Sequence, residues 1–304
     1  MALYLPVANM SVNVLVIILL GGMVGLLSGL FGVGGGFLTT PLLIFYGIPP
    51  TVAAASAATQ VTGASVSGVS AHLRRKGVDF EMGVVLIAGG FAGSLIGAAL
   101  FEWLQGVGQI DLVISATYLI LLGWIGTLML RESLAAFRAG RGDKPVPAKK
   151  RRHHPLVANL PWPYRFRASG LYLSPIAPFI LGVLTGILTM LLGVGGGFIM
   201  VPAMLYILGM SARVVVGTSL FQILFTTIAS TLIHSVTTHA VDIVLALLLL
   251  IGGVIGAQLG ARLATRIDPV KLRLGLALIV LAVALRMGLG LVWQPDEIYS
   301  VQWL

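Results

Sequence analysis

The stretch Gly-Val-Gly-Gly-Gly-Phe at residues 32–37 recurs, residue for residue, at residues 193–198. Further matched pairs follow the two copies in the same order: Pro41 and Pro202, Gln60 and Gln222, His72 and His234, and Asp79 and Asp242. The register holds over about 70 residues with single-residue shifts, as in an internal repeat. The sequence therefore predicts two repeats, over residues 12–130 and 175–293. The alternative is that glycine-rich membrane helices resemble one another through composition alone.

The composition excludes a water-soluble domain. Of the 304 residues, 58% are apolar and 10% are charged, against about 25% charged residues in a typical soluble domain. The first charged residue is Arg74, and apolar runs of about 20 residues, long enough to cross a bilayer, recur to the end of the chain. We therefore expect an all-α polytopic membrane protein. The net charge of +9 does not indicate nucleic-acid binding, because ten of the 19 basic residues lie in one stretch, residues 131–169.

Ten apolar stretches are candidate membrane segments, five in each repeat. They are residues 12–31, 36–47, 51–73, 80–104 and 111–130, and then residues 175–192, 197–208, 213–235, 241–261 and 273–293. The second segment of each repeat has about 12 residues, which as a helix would reach about 18 Å of the roughly 30 Å hydrocarbon core. We therefore expect broken or re-entrant half-helices directly after the two glycine motifs.

The basic residues predict how the repeats face the membrane. Cytoplasmic loops are enriched in Lys and Arg, so the basic linker at residues 131–174 and the cluster at residues 74–76 are expected inside. The basic cluster at residues 262–273 corresponds to the loop around Gln105, which is expected outside. Equivalent loops on opposite sides indicate inverted repeats, each with an odd number of crossings. Both termini are then expected outside.

The glycine motifs predict a site for an anion. Consecutive glycines break a helix and leave backbone groups unpaired, which a membrane tolerates only where that backbone is buried in protein or lines a wet cavity. The restarted helix offers free N–H groups and the positive end of its dipole, and nearby hydroxyl and amide groups add neutral donors. The expected substrate-binding residues are Gly34, Gly35, Gly36, Thr39, Thr40, Gln60, Gly195, Gly196, Gly197, Thr218, Ser219 and Gln222. The alternative is that the glycines only allow close helix packing and the polar side chains only link helices.

Five further residues are candidates for proton coupling or anion attraction: His72, Asp79, His234, Asp242 and Arg286. An imidazole titrates near neutral pH, although both histidines can instead lie at the membrane interface. The aspartates begin predicted helices, where a carboxylate acts as a cap, and Arg286 can extend to the surface. We expect no cofactor and no metal site. The chain has no Cys and neither of the enzyme motifs His-Glu-x-x-His and Gly-x-Ser-x-Gly, so we expect no enzyme activity.

The residues around the two motifs resemble the TauE/SafE family of sulfite exporters, also described as the toluene sulfonate uptake permease family. These residues are Leu30 and Phe31 with the first motif, Pro41 and Gln60, and the second copy from Gly193 to Gln222. The resemblance covers both repeats. It implies a prokaryotic inner-membrane transporter of sulfur-containing oxyanions such as sulfite, sulfoacetate or other organosulfonates, commonly in the export direction. Met200 and Val201 stand in the second copy where the first has Thr39 and Thr40.

The expected function is a secondary transporter, in which the two repeats alternate access to a central anion site at the paired helix breaks. The expected partners are a small anionic substrate and the lipid bilayer, without nucleic acid, and a homodimer is one option for the assembly. A passive anion channel is the first alternative, because channels also use helix ends and hydroxyl groups. An intramembrane enzyme is the less favoured alternative.

Overall fold

Ten helices and two β-hairpins form the part of the chain that the structure describes, a computed structural model of residues 2–31, 36–74, 77–138, 161–264 and 269–292. The first half contains β1 (Ala2–Leu5), β2 (Met10–Asn13), α1 (Val14–Phe31), α2 (Gly36–Phe45), α3 (Pro50–Arg74), α4 (Phe80–Gly106) and α5 (Ile110–Arg138). The second half contains β3 (Tyr164–Phe166), β4 (Leu171–Leu173), α6 (Ile176–Leu192), α7 (Gly197–Tyr206), α8 (Ala212–Val236), α9 (Ile243–Ala264) and α10 (Pro269–Val292).

Each predicted membrane segment coincides with one of these helices. Five of the described helices, α4, α5, α8, α9 and α10, are long and apolar enough to cross a membrane, whereas α1, α2, α6 and α7 are apolar but shorter. By length and composition the chain is a multi-pass helical membrane protein. The helices α2 and α7 have 10 residues each, about 15 Å of helix or half of the hydrocarbon core, as expected for half-helices.

A β-hairpin precedes each helical half, and the sequence predicts neither of them. In each hairpin the two strands pair antiparallel. Strands of three or four residues are too short to show the alternation that identifies a strand. The second hairpin and the last turns of α5, residues 131–138, fall within the expected linker, so both ends of that stretch have regular structure. Its middle, residues 139–160, lies outside the described residues.

Glycines bring helices of the two halves into backbone contact. The helix α1 packs against α9, and α4 packs against α6. A β-carbon at Gly25 would overlap the carbonyl oxygen of Gly253, and one at Gly186 would overlap the carbonyl oxygen of Gly90. Small residues allow this close approach in membrane bundles. The first helix of each half therefore packs on the fourth helix of the other half.

The same contacts show which helices run in parallel. A β-carbon at Gly252 of α9 would meet the carbonyl of Ile18 in α1, and one at Gly260 would meet the carbonyl of Leu26. Residue numbers rise together along this contact, so α1 and α9 run in the same direction. The contacts between α4 and α6 follow the same order.

The third helices, α3 and α8, pack against each other in the opposite sense. The hydroxyl oxygens of Thr59 and Thr231 are 3.3 Å apart, and those of Thr62 and Thr227 are 2.8 Å apart. Residue numbers rise along α3 while they fall along α8, so this pair is antiparallel. The fifth helices, α5 and α10, are also antiparallel by their contacts. Helices that correspond in sequence thus run in opposite directions where they meet.

Candidate functional site

The two half-helices begin side by side. The ring of Phe37 at the start of α2 stacks on the ring of Phe198 at the start of α7, with centroids 4.4 Å apart and planes inclined by 3°. A β-carbon at Gly36 would lie 2.7 Å from the carbonyl oxygen of Val194. The backbones of the two glycine motifs are therefore in contact.

The break between α6 and α7 presents the amino end of a helix. Gly193 ends α6 with a φ of 71°, and its N–H donates to the carbonyl oxygen of Thr189 at 2.8 Å. Gly195 and Gly196 are also left-handed, and among the described residues no side chain caps α7, which begins at Gly197. The first N–H groups of a helix have no partner within it, and the helix dipole adds partial positive charge at this end. The Ile199 N–H already donates to the Gly196 carbonyl oxygen at 3.1 Å. The start of α7 therefore offers the N–H groups of Gly197 and Phe198, which have no carbonyl one turn earlier in the helix.

The carbonyl end of the same break is covered by side chains. The carbonyl oxygen of Leu192 accepts hydrogen bonds from the Thr40 hydroxyl at 2.9 Å and the Tyr118 hydroxyl at 2.6 Å. The carbonyl oxygen of Met190 lies 2.9 Å from Nε2 of His234. Three side chains thus pair acceptors that the helix break leaves open. Through its hydrogen bond to the Leu192 carbonyl, Thr40 links the first half to the second.

Gln60 lies beside the break in the first half. Its Oε1 accepts a hydrogen bond from the Thr39 hydroxyl at 2.8 Å, and its Nε2 lies 3.4 Å from the carbonyl oxygen of Leu249. A cavity adjoins this amide, with room for about one water molecule. The cavity is lined by Gly25, Ser28, Gly36, Gln60, Val61, Ala64, Gly253 and Ala257.

Gln222 occupies the corresponding place in the second half and is fully buried. Its Nε2 donates to the Thr226 hydroxyl at 2.8 Å and lies 3.5 Å from the Thr185 hydroxyl. Within the described part of the chain, its Oε1 has no hydrogen-bond partner. A β-carbon at Gly90 would lie 2.5 Å from the Thr226 hydroxyl oxygen, so the glycine of α4 leaves room for this pair. Buried amide atoms usually have a partner, which makes Gln222 a notable exception.

The two aspartates cap helices and hold the hairpins. Asp79 accepts hydrogen bonds from the Met82 N–H at 3.1 Å and the Ser169 N–H at 2.9 Å, one at each carboxylate oxygen. Asp242 caps α9 in the same way and accepts a hydrogen bond at 3.2 Å from the Val7 N–H. Both aspartates are fully buried. Each therefore ties the start of a fourth helix to the hairpin that precedes the other half.

Two other predicted site residues, Thr218 and Ser219, bond to protein groups away from the break. Thr218 accepts a hydrogen bond from the Asp79 N–H at 2.9 Å, and the Ser219 hydroxyl donates to the Val216 carbonyl oxygen at 2.9 Å. Both hydroxyls therefore have partners in the protein. Gly34 and Gly35 lie outside the described residues.

The remaining candidates for proton coupling or anion attraction do not cluster at the helix break. His234 is fully buried, and its Nδ1 is 3.0 Å from the Thr238 hydroxyl. His72 is half-buried near the end of α3. Arg286 is exposed, with its guanidinium 5.3 Å from the centre of the Phe45 ring. Among the described residues, no three His, Cys, Asp or Glu side chains meet as a metal site would require.

Sequence reasoning missed residues that line the second break. Thr185 and Thr189 lie one turn apart on α6, where each hydroxyl donates to a carbonyl of its own helix. Tyr118, on α5, also escaped notice because its sequence lies far from either motif. The sequence does carry a signal for the two threonines: they lie four residues apart, and so on one face, directly before the second motif in an otherwise apolar helix.

Comparison with known proteins gives consistent results. A family model described as sulfite exporter TauE/SafE matches residues 17–287. The chain is 28% identical over 271 residues to "Probable membrane transporter protein YjnA" of Bacillus subtilis, covering 89% of this chain and 98% of that protein. It is 29% identical over 269 residues to a "Probable membrane transporter protein" of Xylella fastidiosa, covering 87% and 91%. A third relative, "Probable membrane transporter protein YunE" of Bacillus subtilis, is 26% identical over 239 residues, covering 74% and 79%. No solved structure gives a significant match.

Proposed function

Because this chain is a membrane transporter of the sulfite exporter TauE/SafE family, we propose that it is a secondary exporter of sulfur-containing oxyanions such as sulfite, sulfoacetate or other organosulfonates. The observation that carries the proposal is the uncapped start of α7 beside the fully buried amide of Gln222. Helix N-termini and neutral donors bind oxyanions without a buried counter-charge. The substrate class comes from the family name, and the position of the site comes from the geometry.

The proposed mechanism is alternating access between two inverted repeats. The antiparallel contacts of α3 with α8 and of α5 with α10 support inversion, because corresponding helices of inverted repeats run in opposite directions. The parallel pairs, α1 with α9 and α4 with α6, join one half to the other along glycine-lined surfaces. Each half can then move against the other around the shared break.

The proposed location is the inner membrane of a prokaryote. Basic residues at positions 131–152 and 262–273 favour the cytoplasmic side for these stretches, which leaves both termini outside. Lipid and a small anion are the proposed partners, and we propose neither a nucleic-acid partner nor an enzyme activity. A homodimer is an option that the molecular mass in detergent would decide.

Flux into proteoliposomes tests the proposed function. Labelled sulfite and sulfoacetate would be supplied with and without an imposed pH gradient, beside protein-free vesicles. We expect saturable flux of at least one of these anions that responds to the proton gradient. Unsaturable flux that follows only the anion's own electrochemical gradient would indicate a channel, and no flux of either anion would withdraw the substrate class.

A further inference from the structure

The Gln222 amide has one atom that no group in the described protein hydrogen-bonds. Its Nε2 is 2.8 Å from the Thr226 hydroxyl, while its Oε1 is buried without a partner. An unpaired amide atom in the protein interior costs free energy, and a ligand that lets both ends of the amide find partners recovers it. Resting on the function proposed above, we infer that Gln222 contacts the transported oxyanion directly and that Thr226 is its positioning residue.

The Thr226 hydroxyl permits the amide to turn. A hydroxyl both donates and accepts, so Thr226 can accept from Nε2 or donate to Oε1. After a half-turn of the amide, the contact with Thr226 is kept and the NH2 group takes the place of the unpaired oxygen. An anion favours this orientation, because its oxygens accept hydrogen bonds from the NH2 group and would be repelled by the carbonyl oxygen.

Thr185 connects this amide to the helix break. Its hydroxyl oxygen lies 3.5 Å from Nε2 of Gln222, and a β-carbon at Gly196 would lie 3.1 Å from its Cβ. Gln222 and the uncapped start of α7 therefore border the same side chain. Donors from the amide and from the backbone can converge on a small ligand that has two or more acceptor oxygens, such as sulfite or a sulfonate group.

Gln60 cannot make the same turn. Its Nε2 faces the carbonyl oxygen of Leu249 at 3.4 Å, and a carbonyl accepts hydrogen bonds but does not donate them. Turning the amide would set two acceptor oxygens against each other. In addition, Ala64 stands where the second half has Thr226, so no hydroxyl is available at that position. The second half alone thus carries the reorientable amide.

The decisive variant is Thr226→Val, which keeps the shape of the side chain and removes only the hydroxyl. We expect the KM for sulfite flux in proteoliposomes to rise about tenfold, because the Gln222 amide loses the hydrogen bond with Thr226 that orients its NH2 group toward the anion, with Vmax less affected. Thr226→Ser should restore the wild-type KM. Thr227→Val is the matched control, because Thr227 is the next buried threonine and its hydroxyl bonds Thr62 and Ile223 instead of the Gln222 amide.

A binding measurement separates this inference from the proposed function. The thermal unfolding midpoint of each purified protein would be followed in detergent with increasing sulfite, beside chloride. Wild-type flux with an unchanged KM in Thr226→Val, or equal losses in the Val and Ser variants, would overturn the role of the Gln222–Thr226 pair and leave the transporter standing. Sulfite binding that requires Thr226, without any flux, would overturn the transporter and keep the site. Neither flux nor binding by the wild type would overturn both.

Discussion

The two halves share a backbone frame but differ in what surrounds each central glutamine. Around Gln60 the small residues Ser28, Ala64 and Ala257 leave a cavity, and the corresponding positions around Gln222 carry Thr189, Thr226 and Ser94. The glycines at the helix contacts are retained in both halves, because each half needs the same close approach. Of the three hydroxyls around Gln222, that of Thr226 bonds the amide, whereas those of Thr189 and Ser94 donate to carbonyls of their own helices. If the proposed site is correct, we expect the second half to bind the anion and the first half to supply a matching frame.

The largest effect on flux is expected from Gly196→Val, which changes a left-handed residue in the break between α6 and α7. Its φ of 73° is strained for a β-branched residue, and the new side chain would crowd Thr185. The cost of about 1–2 kcal/mol for a left-handed residue would shift the first N–H groups of α7. We expect sulfite flux to fall by about a hundredfold, because small displacements of positioned groups are expensive, while membrane insertion persists.

Gly123→Val is the control for that variant. Gly123 lies within α5, away from the break, and a β-carbon there meets nothing within 4 Å. Normal flux in Gly196→Val would show that the second break is not the site and would remove the functional difference between the halves.

The two glutamines offer a direct test of unequal roles. We expect Gln222→Leu to raise the KM for sulfite by about tenfold or more through the loss of a donor to the anion. Gln60→Leu should lower the unfolding midpoint by breaking its bond with Thr39, with a smaller change in KM. Initial rates over a range of sulfite concentrations, together with thermal unfolding, distinguish the two effects. Equal rises in KM would mean that the anion contacts both halves.

The aspartates test a feature that the halves hold in common. Asp79→Ala and Asp242→Ala each remove a helix cap and a bond to a hairpin, so each should cost about 1–3 kcal/mol of stability. The expected change in KM is small, because both carboxylates are bonded to backbone N–H groups. Unfolding in mixed micelles would measure the loss. A change in the pH dependence of flux in Asp79→Asn or Asp242→Asn, which keep the shape of the side chain but cannot ionise, would instead support the proton-coupling hypothesis.

The sequence predicts where the helices of the two halves lie, but not the differences between the surroundings of the two central glutamines. Apolar length places the helices within a few residues, and the doubled motif identifies α2 and α7 as half-helices because glycine breaks leave a strong signal. The hairpins at residues 2–13 and 164–173 are too short for periodicity. The linking contact of Thr40 with the Leu192 carbonyl, and the open end of Gln222, depend on contacts between distant helices. The sequence predicts that Thr40 and Gln222 both bind the anion. In the structure Thr40 instead bonds the Leu192 carbonyl, whereas the Gln222 amide oxygen has no partner among the described residues.

The smallest effect is expected from Ala64→Thr, which gives the first half a feature of the second. The neighbouring cavity holds about one water molecule, so it accommodates one of the two added heavy atoms, and we expect a loss of stability of about 1 kcal/mol, at the low end of the cost of overpacking. The KM for sulfite should stay at the wild-type value, because the Leu249 carbonyl still fixes the orientation of the Gln60 amide. A lowered KM would show that a hydroxyl at this position is enough to create a second anion contact. The difference between the halves would then depend on residue 64 and not on the carbonyl that faces Gln60.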